Sequence, residues 1–223
     1  MKRARLALLA TALLALVITV AHHPARAGLI AGSVSLDTSA LFGPFELVFV
    51  FTDGTGTGDA NNTVTLSNFL FGGGSAGTVD TPLSIGGISG DLTSGASLVD
   101  SAFLNIFASS FTAGSLLSFD FGLTTNVDAG GTPDQFSFAL LQADGSLVNT
   151  KDPSGANSLL TVNIDSSRPT FSTFASELTS APIVTESSAV PEPPILLLLI
   201  IGLVGATGFH FGAHEPRPNL RVS

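Results

Sequence analysis

The chain has 223 residues, a formal net charge of −9 and no Cys, which removes any disulfide framework, thiolate nucleophile or Cys-ligated metal. Its four His stand at 22, 23, 210 and 214, so the long region between them holds no Ser-His-Asp or Cys-His catalyst and no His-ligated transition metal. Within Gly28–Ala189 there are 15 acidic residues and only Lys151 and Arg168 as bases, a formal charge of −13 that argues against nucleic acid and anionic lipid as partners.

The first 27 residues read as an export signal. Lys2, Arg3 and Arg5 precede the apolar run Leu6–Val20, and Ala25-Arg26-Ala27 is a small-x-small cleavage site. This predicts cleavage between Ala27 and Gly28.

Residues 28–171 read as one all-β domain, built from short strands separated by Gly, Ser, Thr, Asn and Asp. Val34 and Leu36 mark a first candidate strand. Phe45, Leu47, Phe49 and Phe51 share one parity, with Val48 and Val50 on the other, as expected of a central strand buried on both faces.

Asp53-Gly54-Thr55-Gly56-Thr57-Gly58-Asp59-Ala60-Asn61-Asn62 is the sharpest ligand candidate, with oxygen donors at Asp53, Asp59 and Asn61 or Asn62 on flexible backbone. It suits a Ca²⁺ loop at a strand end, although it lacks the helix-loop-helix pattern and its bidentate Glu. A Gly-rich surface loop held by Asx turns is the plainer alternative, and it is preferred. No other cofactor is expected.

Val64 and Leu66 share a parity that switches to Phe69 and Phe71, which predicts a bulge near Ser67-Asn68. Leu83–Leu92 is a weaker strand, diluted by Gly86, Gly87 and Gly90. Segment 98–107 is ambiguous: Leu98, Ala102 and Ile106 fit a helix capped by Asp100, whereas Phe103, Asn105 and Phe107 alternate like a strand, the preferred reading. Leu117, Phe119, Phe121 and Leu123 alternate with polar residues, and Phe136/Phe138/Leu140 and Leu160/Val162/Ile164 repeat the pattern.

Gln142–Leu147 reads as a hairpin turn around Asp144-Gly145. Turn signals every 10–20 residues predict a single antiparallel, jelly-roll-like β-sandwich. Asp120 and Asp134, on strands next to each other in the chain, are a candidate carboxylate pair of the kind glycosidases use. With no Trp or Tyr for sugars to stack on and few acid–base groups, the expectation is that the protein is not an enzyme. Residues 172–189, poor in large apolar side chains, read as a linker.

The C-terminus carries Val190-Pro191-Glu192-Pro193-Pro194, an apolar run Ile195–Phe211, and then Arg217 and Arg221. Seventeen residues is near the lower limit for a bilayer-spanning helix, and a Pro pair suits its first turn. This order resembles the PEP-CTERM sorting signal of Gram-negative bacteria. Glu215 and Pro216 separate the apolar run from the arginines, where that family usually has an Arg-rich cluster directly after the helix.

The resemblance implies handling at the inner membrane by an exosortase, with Val190, Pro191, Glu192 and Pro193 as the sorting motif, and final residence in the envelope or outside the cell. It further implies a host that makes extracellular polysaccharide or biofilm matrix. The expected function is that of an exported structural or matrix-interaction protein. A calcium-assisted carbohydrate-binding module is the alternative, and a carboxylate-based glycoside hydrolase the remaining one.

Overall fold

Twelve strands make up two six-stranded antiparallel sheets in a computed structural model that describes residues 28–127, 132–165 and 168–187. The expected signal peptide, the sorting motif with its apolar run, and His210 and His214 lie outside the described residues. Among the described residues there is no helix long and apolar enough to cross a membrane.

One sheet has the order β12-β1-β8-β3-β6-β5, from Ile183–Ser187, Gly28–Asp37, Leu116–Thr125, Thr63–Leu70, Gly95–Val99 and Gly87–Asp91 respectively. The other has the order β11-β10-β9-β2-β7-β4, from Thr170–Thr173, Leu160–Ile164, Asp134–Gln142, Pro44–Thr52, Leu104–Thr112 and Ser75–Val79. Alternation explains the assembly. Val34, Leu36, Leu117, Phe119, Phe121, Leu123, Val64 and Leu66 turn inward from the first sheet and are buried. They meet Leu47, Phe49, Phe51, Phe107, Phe136, Phe138 and Leu140 from the second. A layer rich in Phe supplies the apolar area that a Cys-free domain must bury to be stable.

The bulge is where the parity switch places it. Ser67 pairs with Asp120 and Leu70 with Ser118, so β3 spends one residue more than β8, and Asn68 takes a φ of 53°. That extra residue brings Phe69 inward against Phe119, with ring centroids 5.4 Å apart. Segment 98–107 is strand rather than helix: β6 ends at Val99 and β7 starts at Leu104. The Gln142–Leu147 turn closes with Gly145 N–H donating to the Gln142 carbonyl at 2.9 Å and Gln142 N–H to the Ser146 carbonyl at 2.8 Å.

The segment expected as a linker, 172–189, is not free chain over its described part, 172–187. Thr170–Thr173 pairs with β10, and Ile183–Ser187 lies along β1, with Val184 opposite Val34. Both strands are short and edge-placed, so they carry almost no apolar alternation for a sequence to display.

Candidate functional site

The two sheets come together at one end through polar side chains. β2 ends in this region, and the chain then turns through Asp53–Asn62 to enter β3. Asp53, whose side chain is fully buried, organises the turn. Its Oδ1 accepts from Thr55 N–H and Oγ1 at 2.8 and 2.7 Å and from Gly56 N–H at 3.1 Å, and its Oδ2 accepts from Gly58 N–H at 2.5 Å. Gly58 reaches that position at a φ of 67°, which glycine adopts without a Cβ penalty. Burial alone raises the Asp53 carboxyl, but the Thr55 hydroxyl and the Gly58, Thr55 and Gly56 amides outweigh it and hold it below the usual range.

This geometry bears on the calcium candidate. Both Asp53 oxygens are committed to amide and hydroxyl donors. Asp59 points elsewhere, accepting from Asn61 Nδ2 at 2.8 Å. Among the described residues no group of three or more His, Asp or Glu is placed to hold a metal. The stretch has the hydrogen bonding of an Asx-turn loop.

Next to the loop, Asn62, Asp100 and Asp134 form a network that no motif in the sequence announces. Asn62 immediately precedes β3, Asp100 follows β6 in the same sheet, and Asp134 opens β9 in the other. Exposure of their side chains is 0, 0 and 3 %. Asn62 N–H donates to both Asp100 oxygens at 3.1 and 3.0 Å, and its Nδ2 donates to Asp134 Oδ2 at 2.7 Å. Its Oδ1 accepts from Asn126 N–H at 2.8 Å, which fixes the amide's orientation. Gly54 N–H, at the start of the loop, donates to Asp134 Oδ1 at 2.8 Å.

Asn62 thus bridges the two carboxyls, and Asp100 is pushed up to about 7. Burial is the main cause. The Asn62 amide works against it, and the charges of Asp134 and Asp59 add to it. The clue available in the sequence was positional: Asn62 and Asp100 each adjoin a strand end, where an apolar run stops.

The candidate pair Asp120/Asp134 is not formed, and the ordinary outward Asp is the reading that fits Asp120. Asp120 is on β8 and Asp134 on β9, consecutive in the chain but in opposite sheets. Asp120 faces outward and accepts from Asn68 Nδ2 at 2.7 Å.

A second carboxyl pair lies at the other end, on the outer face of the sheet containing β2. Glu46 and Asp80 line a groove of about 640 Å³ whose walls include Thr78, Ser110, Gln142 and Asp144. Burial, followed by the Asp80 charge and hydrogen bond, raises the Glu46 carboxyl. The groove offers hydrogen-bond donors and acceptors to a polar ligand.

Comparison with protein-family models, with curated proteins and with solved structures gives no match for this chain.

Proposed function

We propose that this chain is an exported structural or matrix-interaction protein of a jelly-roll-like sandwich type, delivered to the cell envelope through its C-terminal segment. The observation that carries the reading is the order Val190-Pro191-Glu192-Pro193, apolar run Ile195–Phe211, Arg217 and Arg221, preceded by an acidic domain without His, Cys, Tyr or Trp. An exosortase reads Pro191, Glu192 and Pro193 while the apolar run holds the substrate in the bilayer. The strand order 1-8-3-6 in one sheet, facing 2-7-4 in the other, supports the jelly-roll assignment.

The test is Glu192→Ala in the native host. A plain tail anchor needs only the apolar run, so the variant should still insert but remain unprocessed. Processing and release at the wild-type rate would overturn recognition through Glu192.

A second reading, a carbohydrate-binding module, is favoured by the polar groove at Glu46 and Asp80. Its hydroxyl, amide and carboxyl groups suit a hydroxyl-rich chain, though no Trp or Tyr is present to stack on a ring. Retention of the protein on the host's own extracellular polysaccharide, with and without Ca²⁺, separates the two readings. Retention lost on Glu46→Gln supports binding through the groove, and no retention leaves the structural role.

A further inference from the structure

We propose that β12 is an exchangeable strand: where copies are held side by side, Ile183–Ser187 of one chain pairs with β1 of a second copy in place of that copy's own β12. The proposal deepens the structural reading and rests on it for one element, the tail that gathers the chains at a membrane.

Among the described residues, β12 is held from one side only. It is the outermost strand of its sheet, with Ala31 opposite Ser187 and Ser35 opposite Ile183. Val184 is half-buried and packs against the core, whereas Ile183 is 69 % exposed and Thr185, Glu186 and Ser187 face solvent. The strand β12 pairs with is β1. A second copy offers the same β1 edge, so every ladder contact is reproduced residue for residue.

The chain before β12 stays on its own body. Lys151 N–H donates to the Ala175 carbonyl at 2.8 Å and Ser176 N–H to the Thr179 carbonyl at 3.0 Å, while Thr179 N–H donates to Ser176 Oγ at 2.8 Å. Thr179 and Pro182 are both buried. Pro182 has no N–H to add to the ladder, so the paired segment starts cleanly at Ile183. β12 can therefore leave from a fixed point without loosening β11.

Exchange gains no new ladder contact and must offset the entropy of bringing two chains together, so dilute chains keep their own strand. Tails in one bilayer raise the effective concentration of each copy for its neighbours and reduce that cost. A β1 edge left open is unfavourable and is refilled by whichever copy of β12 is nearer. Each chain gives one strand and receives one, so the exchange closes as a pair or continues as an open array. The formal −13 on each body opposes the approach, and salt screens that repulsion.

The test exploits the absence of Cys, since any disulfide then comes from introduced residues. Ser33 and Thr185 stand directly opposite each other. Opposed Cα atoms in antiparallel strands are about 4.5–5.5 Å apart, within disulfide reach. Two differently tagged full-length chains, Ser33→Cys and Thr185→Cys, are co-expressed in the native host and the membranes are mildly oxidised. A disulfide-linked dimer carrying both tags is the expected result. Thr185→Cys paired with Ser89→Cys, on β5 at the far edge of the sheet, should give none. The double variant Ser33→Cys/Thr185→Cys should close partly within one chain and partly between chains. Closure only within the chain, with no mixed dimer from the single variants, would overturn the exchange. An equal yield from the Ser89→Cys pair would reduce it to random collision. Fractionation of the same cells separates the two ideas: chains in the envelope without mixed dimers sink the exchange alone, whereas chains absent from the envelope sink the export reading and the exchange with it.

Discussion

Phe49 of one sheet and Phe119 of the other meet edge to face across the interior, with ring centroids 5.3 Å apart and planes at 88°. Phe49 also stacks on Phe138 of the adjacent strand, with centroids 5.2 Å apart. It is therefore the point where packing within a sheet and packing between sheets share one side chain. Phe→Ala at a fully buried core site costs about 3–5 kcal/mol, because the cavity adds to the lost transfer energy. Phe49→Ala should fall in that range in urea unfolding, and Phe49→Leu should cost clearly less.

Asp53 predicts an acid limb to the stability curve. Its carboxyl is held below the usual range, so its contribution is present above the unfolded value of 3.8 and is lost as pH falls through the lower folded value. In Asp53→Asn the new amide would present a donor to a Thr55, Gly56 or Gly58 group that is itself a donor. A buried unsatisfied donor costs about 1–3 kcal/mol. Melting between about pH 3 and 6 should show a shallower acid decline in the variant than in wild type. The deficit at pH 6 should be the same in Ca²⁺ and in chelator, since the Asp53 oxygens are occupied by amides. A calcium-dependent deficit would return the loop to the metal-binding reading.

The strands that the sequence displayed are the ones buried between neighbours. β2, β8, β9 and β10 each have partners on both sides, and their inward residues alternate with period two. The four strands at sheet edges are β12, β5, β11 and β4. These were all faint or unseen, because a short strand paired on one side needs no apolar stripe, and of the interior strands β6 and the start of β7 were obscured as well by the ambiguous spacing over 98–107. The Asn62–Asp100–Asp134 network was illegible for another reason. Its members are 38 and 72 residues apart from Asn62 in the chain and share no motif. Only the crossing of the chain between sheets brings them together, whereas Asp53 and its loop are local and were visible as a Gly-Asp cluster.

Two glycines separate steric need from conformational need. A Cβ on Gly54 would collide with the backbone carbonyl groups of Thr132 and Pro133, next to Asp134. Backbone atoms cannot step aside cheaply, so Gly54→Ala should break the bond to Asp134 and lower Tm by well over the cost of an ordinary surface change. Gly145 has a φ of 81° and open space around it. Gly145→Ala should then cost only the strain of a left-handed alanine, about 1–2 kcal/mol. Thermal melts of the two variants side by side check the ranking, and equal losses would contradict it.

The last described strand sets the limit on where the tail can be cut. β12 covers one side of β1, and Val184, half-buried, packs against the core opposite Val34, which is fully buried. Chain released after Ser187 keeps this strand, whereas chain ending at Pro182 lacks it and leaves the outer edge of β1 unpaired. An unpaired edge both costs burial and invites association with other chains. A Gly28–Ser187 fragment should melt within a degree or two of the full-length protein and run as a single species in size-exclusion chromatography. Gly28–Pro182 should melt markedly lower and aggregate. Val184→Asp in the longer fragment should reproduce part of that loss, because a charge would then replace the apolar contact. Equal stability of the two fragments would mean that β12 is a passive strap, and processing inside residues 183–187 would then leave the sandwich intact.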